Sequence, residues 1–145
     1  MVWCDIMGMS EFVLYTDGGY RMAQNVGAWA WVLIRDGFIV AEDARGVRDS
    51  TSNQCEYYGL LNGLEKARFF TDRVVCRSDS QLVIQQLNGK YKVNNEALKV
   101  LNAELLRLSD RFEDVRFVWN GRDSNSWTQY CDKKCDYIID KSLMI

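Results

Sequence analysis

The residues of this chain that could do chemistry are its carboxylates. The sequence has 145 residues, of which 20 are Asp or Glu and none is histidine. Without an imidazole the chain cannot run a Ser-His-Asp or Cys-His mechanism, nor build the usual histidine-containing zinc and iron sites. Clustered carboxylates repel one another unless cations lie between them, and oxygen-rich sites suit Mg²⁺ or Mn²⁺. Any catalysis therefore depends on acidic residues that the fold brings together.

Three acids occupy positions where such a site could form. Asp17 follows the apolar, β-prone segment Phe12–Tyr15, and Asp79 follows a second such segment, Val74–Ser78. Both are predicted to lie at the carboxyl ends of strands, where open α/β sheets bind ligands. Glu56 falls in the first turn of the first long predicted helix, which could bring it to the same sheet edge. For any single acid, an ordinary solvated side chain is the commoner interpretation.

Alternating apolar residues predict a three-stranded antiparallel start to the domain. Ala28–Ile34 places Trp29, Trp31 and Leu33 on one face and Ala30, Val32 and Ile34 on the other. Asp36-Gly37 predicts a tight hairpin turn into a third strand that runs from Phe38 to about Arg45.

After the third strand the apolar spacing becomes helical. The predicted elements are a helix after the capping stretch Ser50–Asn53, the strand Val74–Ser78, the helices Gln81–Leu87 and Asn95–Ser109, the strand Arg116–Trp119, a polar loop over 121–126 and a C-terminal helix. The order βββαβααβα predicts an α/β fold, in which a mixed sheet is covered by helices on both faces.

Composition indicates one soluble domain over residues 1–145, with 1–10 as an N-terminal extension. Hydrophobic residues make up 48% and charged residues 26%, and no apolar run approaches the roughly 18 residues that span a bilayer. We therefore expect a cytoplasmic protein with no membrane association and, at a net charge of -2, no charge-driven binding of nucleic acid as its main role. The five cysteines include no C-x-x-C pair and are expected to be reduced, with Cys131 and Cys135 as small core residues instead of half of a metal site.

Three motifs in the same order resemble the type 1 ribonuclease H family. They are Tyr15–Gly19 (YTDGG), Thr51–Tyr57 (TSNQCEY) and Ser78–Ile84 (SDSQLVI), and the resemblance extends from Glu11 to Met144. It implies a ribonuclease H-like sheet of five strands in the order 3-2-1-4-5. The stretch Gln85–Val93 is similar to the compact form of the family, which lacks an inserted basic handle.

The resemblance also implies an activity and a metal requirement. Members cut the RNA strand of RNA/DNA hybrids with two Mg²⁺ ions per site, for which Mn²⁺ can substitute, and leave 5'-phosphate and 3'-hydroxyl ends. Asp17 would bridge the two metals, Glu56 and Asp79 would share one, and a C-terminal acid would complete the other. A monomer with no obligate protein partner is expected.

The same resemblance implies the residues that contact the hybrid. They are Gly18, Thr51, Asn53, Gln54, Ser80 and Gln81. Helix capping or a turn hydrogen bond is the alternative role for these polar side chains. Lys90 and Lys92, on either side of Tyr91, could contact the nucleic-acid backbone, although solvated lysines are common in loops.

The C-terminal part departs from the family pattern in two ways. The loop Gly121–Asn125 lacks the histidine that many members carry, and the last acidic motif can be matched by either Asp132 or Asp136. We choose Asp136 as the fourth core carboxylate and metal ligand, because the choice of Asp132 would put Lys134 at an apolar position. Asp132, one turn earlier, would then assist catalysis and product release or be simply solvated.

Two other interpretations remain open at this point. The chain could be a ribonuclease H-like domain of another nuclease or of a reverse-transcriptase-derived protein, with a different substrate. It could also be a catalytically silent hybrid-binding module on the same scaffold. The intact set of Asp17, Glu56 and Asp79 argues against the silent module.

Overall fold

The computed structural model describes residues 11–121 and 126–144. Within these residues, five strands form one sheet: β1 (Phe12–Arg21), β2 (Val26–Arg35), β3 (Phe38–Val47), β4 (Arg73–Ser78) and β5 (Asp114–Trp119). The helices are α1 (Ser52–Ala67), α2 (Gln81–Leu87), α3 (Glu96–Ser109) and α4 (Ser126–Leu143), and a short 3-10 turn (Met22–Gln24) joins β1 to β2. The predicted element order is therefore confirmed.

The sheet has the strand order β3-β2-β1-β4-β5, as the resemblance implied. β1 pairs antiparallel with β2, and β2 with β3. β4 pairs parallel with both β1 and β5. The meander thus lies on one side of β1 and the parallel strands on the other, which makes β1 the central strand.

Each face of the sheet carries its own hydrophobic core. Trp29, Trp31 and Leu33 of β2 pack against α1, α2 and α3, which contribute Tyr57, Leu60, Leu64, Val83, Ile84, Leu87, Leu98, Leu105 and Leu108. Ala30, Val32 and Ile34 of the same strand pack against Cys131, Cys135 and Ile139 of α4. Helices therefore cover both faces, and the predicted alternation along β2 is confirmed.

The cysteines of the described residues are buried and free. Cys55, Cys76, Cys131 and Cys135 pack as small core side chains, as expected, while Cys4 lies outside the described residues. Burial raises the pKa of the Cys55 thiol to about 11, so it stays protonated at neutral pH.

β1 is longer than predicted, because the two glycines after Asp17 continue the strand. Gly18 and Gly19 pair with Trp29 and Ala28 of β2, where a turn had been expected. The predicted end at Tyr15 is instead where the parallel pairing with β4 stops. Asp17 therefore lies inside β1 and not at its end, yet beyond the last residue that β4 covers.

The predicted polar loop before the C-terminal helix is described only in part. Of the polar loop predicted over 121–126, residues 122–125 lie outside the described residues, and Ser126 begins α4. Among the described helices, none combines the length and apolar character needed to cross a bilayer.

Candidate active site

Asp17 is buried at an edge of β1 that no neighbouring strand covers. Tyr15 lies in the core beneath α4, so the alternation along a strand places Asp17 on the same face of the sheet. On the side of β4, pairing ends at Tyr15↔Arg77. The sheet is therefore open next to Asp17, and acids from either face can reach it there.

Glu56 comes to this opening from α1, on the other face of the sheet. The helix can lie directly on β1 because residue 18 is glycine: a Cβ on Gly18 would be 2.3 Å from the Cys55 carbonyl carbon and 2.4 Å from the Glu56 nitrogen. The Gly18 backbone also lowers the pKa of the Glu56 carboxyl group, against the larger effect of burial. The structure thus gives Gly18, which the resemblance placed among substrate contacts, a packing role between β1 and α1.

Asp79 reaches the same opening from the turn between β4 and α2. The turn is tight, because the Ser80 N–H donates to Ser78 Oγ at 3.0 Å and Ser80 Oγ accepts from the Val83 N–H at 3.3 Å as the α2 cap. The Trp119 indole N–H donates to the Asp79 carbonyl oxygen at 3.2 Å. The backbone of Asp79 is therefore held from β5 as well as from β4.

The three carboxylates meet. One oxygen each of Asp17, Glu56 and Asp79 lies within 4.8 Å of the others. The structure therefore brings together, from a strand, a helix and a turn, the three acids that the sequence indicated.

This arrangement is electrostatically costly without a cation. Burial, followed by the charge of Asp79, raises the pKa of Asp17 to about 8, and Asp132 adds to the shift. Burial and the charges of Asp17 and Asp79 hold the pKa of Glu56 well above its usual range. Near neutral pH the metal-free group therefore retains protons that a positive charge would displace.

The donor set fits a hard divalent cation. Glu56 Oε1 is buried and has no hydrogen-bond partner among the described residues. Such an atom costs free energy unless a cation or water satisfies it. Carboxylate oxygens are the donors that Mg²⁺ and Mn²⁺ prefer.

The structure places Asp132, and not Asp136, against this group. The carboxyl group of Asp132 acts on that of Asp17 and raises its pKa. Asp136 is exposed over 61% of its side chain, and its carboxylate lies 3.8 Å from Arg21. Arg21 is the last residue of β1 and also binds Asp140 at 2.8 Å. Of the two acids of α4, it is therefore Asp132, and not the predicted Asp136, that acts on Asp17.

The path of α4 along β1 explains the difference between the two acids. Cys131 Sγ donates to the Tyr15 carbonyl oxygen at 3.5 Å, and Cys135 Sγ to that of Asp17 at 3.7 Å. Residues four apart share a side of a helix but lie about 6 Å apart along its axis. Asp136 is therefore carried past the opening toward the end of β1.

Lys134, the residue that argued against Asp132, is accommodated by contacts from β3. It forms an ion pair with Glu42, which also accepts a hydrogen bond from Tyr130 Oη at 2.7 Å. Its Nζ lies 5.3 Å from the centre of the Tyr130 ring. Although burial raises the pKa of Glu42, the hydrogen bonds from Lys134 and Tyr130 lower it below its ordinary value. A charge at this position of α4 is thus compensated.

The predicted substrate residues on α1 and α2 divide into two kinds. Thr51 caps α1 by accepting from the Gln54 N–H at 3.2 Å, and Gln54 Oε1 accepts from Ser50 Oγ at 2.7 Å. Ser80 caps α2, so capping, the alternative raised for these residues, describes Thr51 and Ser80. The side chains of Asn53 and Gln81 make no hydrogen bond within the described residues and are available to a ligand.

Comparison with known proteins gives consistent matches. A family model described as reverse transcriptase-like matches residues 15–135, a range that includes Asp132 and stops before Asp136. Ribonuclease HI of Halobacterium salinarum is 38% identical over 113 residues, which are 77% of this chain and 57% of that protein. The bifunctional protein Rv2228c of Mycobacterium tuberculosis is 28% identical over 134 residues, 90% of this chain and 36% of that protein. The chain therefore spans about a third to just over half of these relatives.

Solved structures agree over nearly the whole fold. The crystal structure of RNase H1 from Halobacterium salinarum superposes with a TM-score of 0.82 at 32% identity and covers 90% of this chain and 98% of that one. LC11-RNase H1, solved in complex with an RNA/DNA hybrid, has a TM-score of 0.81 at 28% identity and covers 92% and 99%. The family model matches most of this chain, and the chain covers 98% of the RNase H1 structure to which it is 32% identical. This chain therefore belongs to the type 1 ribonuclease H family.

Proposed function

We propose that this chain is a metal-dependent endonuclease that hydrolyses the RNA strand of RNA/DNA hybrids and leaves 5'-phosphate and 3'-hydroxyl ends. The observation that carries the proposal is the meeting of Asp17, Glu56 and Asp79 at the open edge of β1, within 4.8 Å of one another. A relative of 38% identity is named ribonuclease HI, and a similar structure contains a bound RNA/DNA hybrid. The name of the relative supports catalysis over a silent module, and the bound hybrid supports the substrate class.

Asp17, Glu56, Asp79 and Asp132 would hold two Mg²⁺ ions, for which Mn²⁺ can substitute. Asp17 would be the central ligand, because Glu56, Asp79 and Asp132 all act on its carboxyl group. When bound, such cations lower the pKa of an attacking water and stabilise negative charge on the departing 3'-oxygen.

The protein's own residues prepare the site by holding carboxylates that are hard to ionise without a cation. Gly18 lets α1 lie on β1 and so brings Glu56 to the opening, where Glu56 Oε1 has no partner among the described residues. The raised pKa values of Asp17 and Glu56 imply that cation binding displaces protons. Metal affinity should therefore increase with pH up to about 8.

Recognition of the hybrid would use the polar side chains on the first turns of α1 and α2. Asn53 and Gln81 have side-chain amides that are not engaged by the described residues. Each lies close in sequence to one of the acids, since Asn53 shares the start of α1 with Glu56 and Gln81 begins α2 two residues after Asp79. Amide groups suit contacts with base edges and with the 2'-hydroxyls that distinguish RNA from DNA. Thr51, Gln54 and Ser80 would add contacts to the backbone.

The proposal is tested by cleavage of one end-labelled sequence in four forms: RNA/DNA hybrid, duplex RNA, duplex DNA and single-stranded RNA. Mg²⁺ and Mn²⁺ are titrated against each form, with Asp17→Asn as the inactive control. We expect cleavage of the hybrid alone, lost by orders of magnitude in the control, with 3'-hydroxyl ends that a polymerase can extend. Equal cleavage of duplex DNA would instead favour another nuclease of this fold. Hybrid binding without cleavage at any metal concentration would favour a silent module.

A further inference from the structure

The carboxyl end of β5 lies between two elements that carry acids to the site. β5 pairs with β4 up to Ser78↔Trp119, and the Asn120 N–H then donates to the Ser78 carbonyl oxygen at 3.0 Å. Beyond β4 comes the turn with Asp79, and α4 carries Asp132. Trp119 and Asn120 are consecutive, so their side chains can reach opposite sides of the strand.

Trp119 bonds to the turn that carries Asp79. Its indole N–H donates to the Asp79 carbonyl oxygen at 3.2 Å, while 44% of the residue remains exposed. A tryptophan this exposed contributes less to a hydrophobic core than the nearly buried Trp29 and Trp31. Its specific contact is with the backbone of an acid in the site.

Asn120 bonds to the helix that carries Asp132. Its Nδ2 donates to Thr128 Oγ1 at 3.1 Å, and Thr128 is 1% exposed in the first turns of α4. Thr128 and Asp132 are four residues apart and thus lie on the same side of the helix. The contact therefore places the part of α4 from which Asp132 reaches Asp17.

We propose that Trp119 and Asn120 are positioning residues that set the distance between Asp79 and Asp132 around Asp17, and thereby the affinity for divalent cations. The inference rests on the proposed function, since it assigns Asp79 and Asp132 as ligands. Groups that hold metal ligands from behind change metal affinity about 10–100-fold when they are removed. The two bonds act on two proposed ligands from one strand end, so loss of either should misplace one acid relative to the others.

The experiment compares Trp119→Phe and Thr128→Val with wild type. Trp119→Phe keeps an aromatic ring but removes the indole N–H, and Thr128→Val keeps the shape but removes the hydroxyl. Mn²⁺ affinity is measured by calorimetry and by the rise in the unfolding midpoint with added Mn²⁺, and the Mg²⁺ dependence of hybrid cleavage is measured alongside. We expect Mn²⁺ binding to weaken about tenfold in each variant, with Thr128→Ser close to wild type because it retains the hydroxyl.

Trp31→Phe is the matched control. It removes the same indole group from the hydrophobic core, where Trp31 Nε1 has no partner among the described residues. It should lower the unfolding midpoint and leave Mn²⁺ affinity unchanged, which separates loss of stability from loss of positioning.

Wild-type Mn²⁺ affinity in both Trp119→Phe and Thr128→Val would overturn the inference, as would an equal loss of affinity in Trp31→Phe. If Thr128→Val does not fold, Asn120→Ala removes the same bond from the other side. A wild-type protein that binds Mn²⁺ without cutting the hybrid would overturn the proposed function, while the affinity comparison would still decide this inference.

Discussion

The two helices that bring acids to the site from opposite faces of the sheet are held in different ways. α1 lies backbone to backbone on β1, because residue 18 is a glycine and has no side chain to hold them apart. α4 packs instead through the thiols of Cys131 and Cys135, which contact carbonyl oxygens of β1. A steric constraint thus fixes Glu56, whereas a set of separate side-chain contacts fixes Asp132. A substitution that separates α1 from β1 should therefore cause a large loss of stability and cleavage, whereas loss of one contact of α4 should cause a smaller loss.

The largest expected effect is that of Gly18→Ala. Its Cβ would lie 2.3 and 2.4 Å from backbone atoms of α1, which cannot rotate away, so the helix must shift from β1. We expect a loss of about 3 kcal/mol in the free energy of unfolding, at the upper end for overpacking, and loss of hybrid cleavage. Urea unfolding and cleavage assays measure both.

Gly19→Ala is the control for that experiment. No atom lies within 4 Å of a Cβ at Gly19, and the residue pairs in the same strand. It should unfold within about 0.5 kcal/mol of wild type, the usual range for a surface change. Equal stability of the two alanine variants would show that close packing of α1 is not what Gly18 provides.

The next largest effect separates the two acids of α4. Asp132→Asn should lower the single-turnover rate of hybrid cleavage by about 100-fold, because Asp132 acts on Asp17 and is a proposed ligand. Asp136→Asn should stay within about threefold of wild type, since it removes an exposed carboxylate paired with Arg21 at 3.8 Å. Single-turnover rates at saturating Mg²⁺ measure both. A more damaging Asp136→Asn would restore the assignment made from the helix pattern.

The sequence predicts the three acids outside α4 more readily than the acid on α4. Asp17, Glu56 and Asp79 could be predicted because each lies in a local motif, although Asp17 was expected at the end of a strand and lies inside β1. The packing role of Gly18 was missed, although a glycine inside a β-prone run is a signal that another backbone approaches closely. The choice between Asp132 and Asp136 is harder to make from the sequence, because Cys-Asp occurs twice in α4 and because Lys134 looks incompatible with its position. Its partner Glu42 lies on β3, and a helix pattern contains no information about so distant a contact.

A smaller effect concerns stability without metal and its dependence on pH. The folded-state pKa of Asp17, about 8, is above its ordinary value of 3.8. A raised pKa gives stability that is present below pH 3.8 and is lost as pH rises through 8. Asp17→Asn should therefore unfold at a higher temperature than wild type in EDTA, by about 5 °C at pH 9, the equivalent of roughly 1–2 kcal/mol.

The difference between Asp17→Asn and wild type should shrink toward pH 5, where Asp17 is protonated in the folded protein. Added Mg²⁺ should stabilise wild type more than the variant, because only wild type retains the central carboxylate. Thermal unfolding of both proteins in EDTA between pH 5 and 9 tests this pH dependence. A wild type that is more stable than the variant at pH 9 without metal would contradict the repulsion that we infer.

The smallest effect is expected on the α4 side, at the ion pair between Lys134 and Glu42. Both side chains are about 30% exposed, so solvent screens the pair, and Tyr130 Oη still donates to Glu42 when the lysine is lost. Lys134→Met should keep the aliphatic packing and lower stability by about 0.5–1 kcal/mol. The loss should diminish at 1 M NaCl, where screening weakens the pair in wild type as well.

Hybrid cleavage should fall no more than about twofold, because Asn120, Cys131 and Cys135 still hold α4 against β5 and β1. Urea unfolding at low and high salt, together with kcat, tests this, and a tenfold loss of kcat would mean that one contact to β3 controls the position of Asp132.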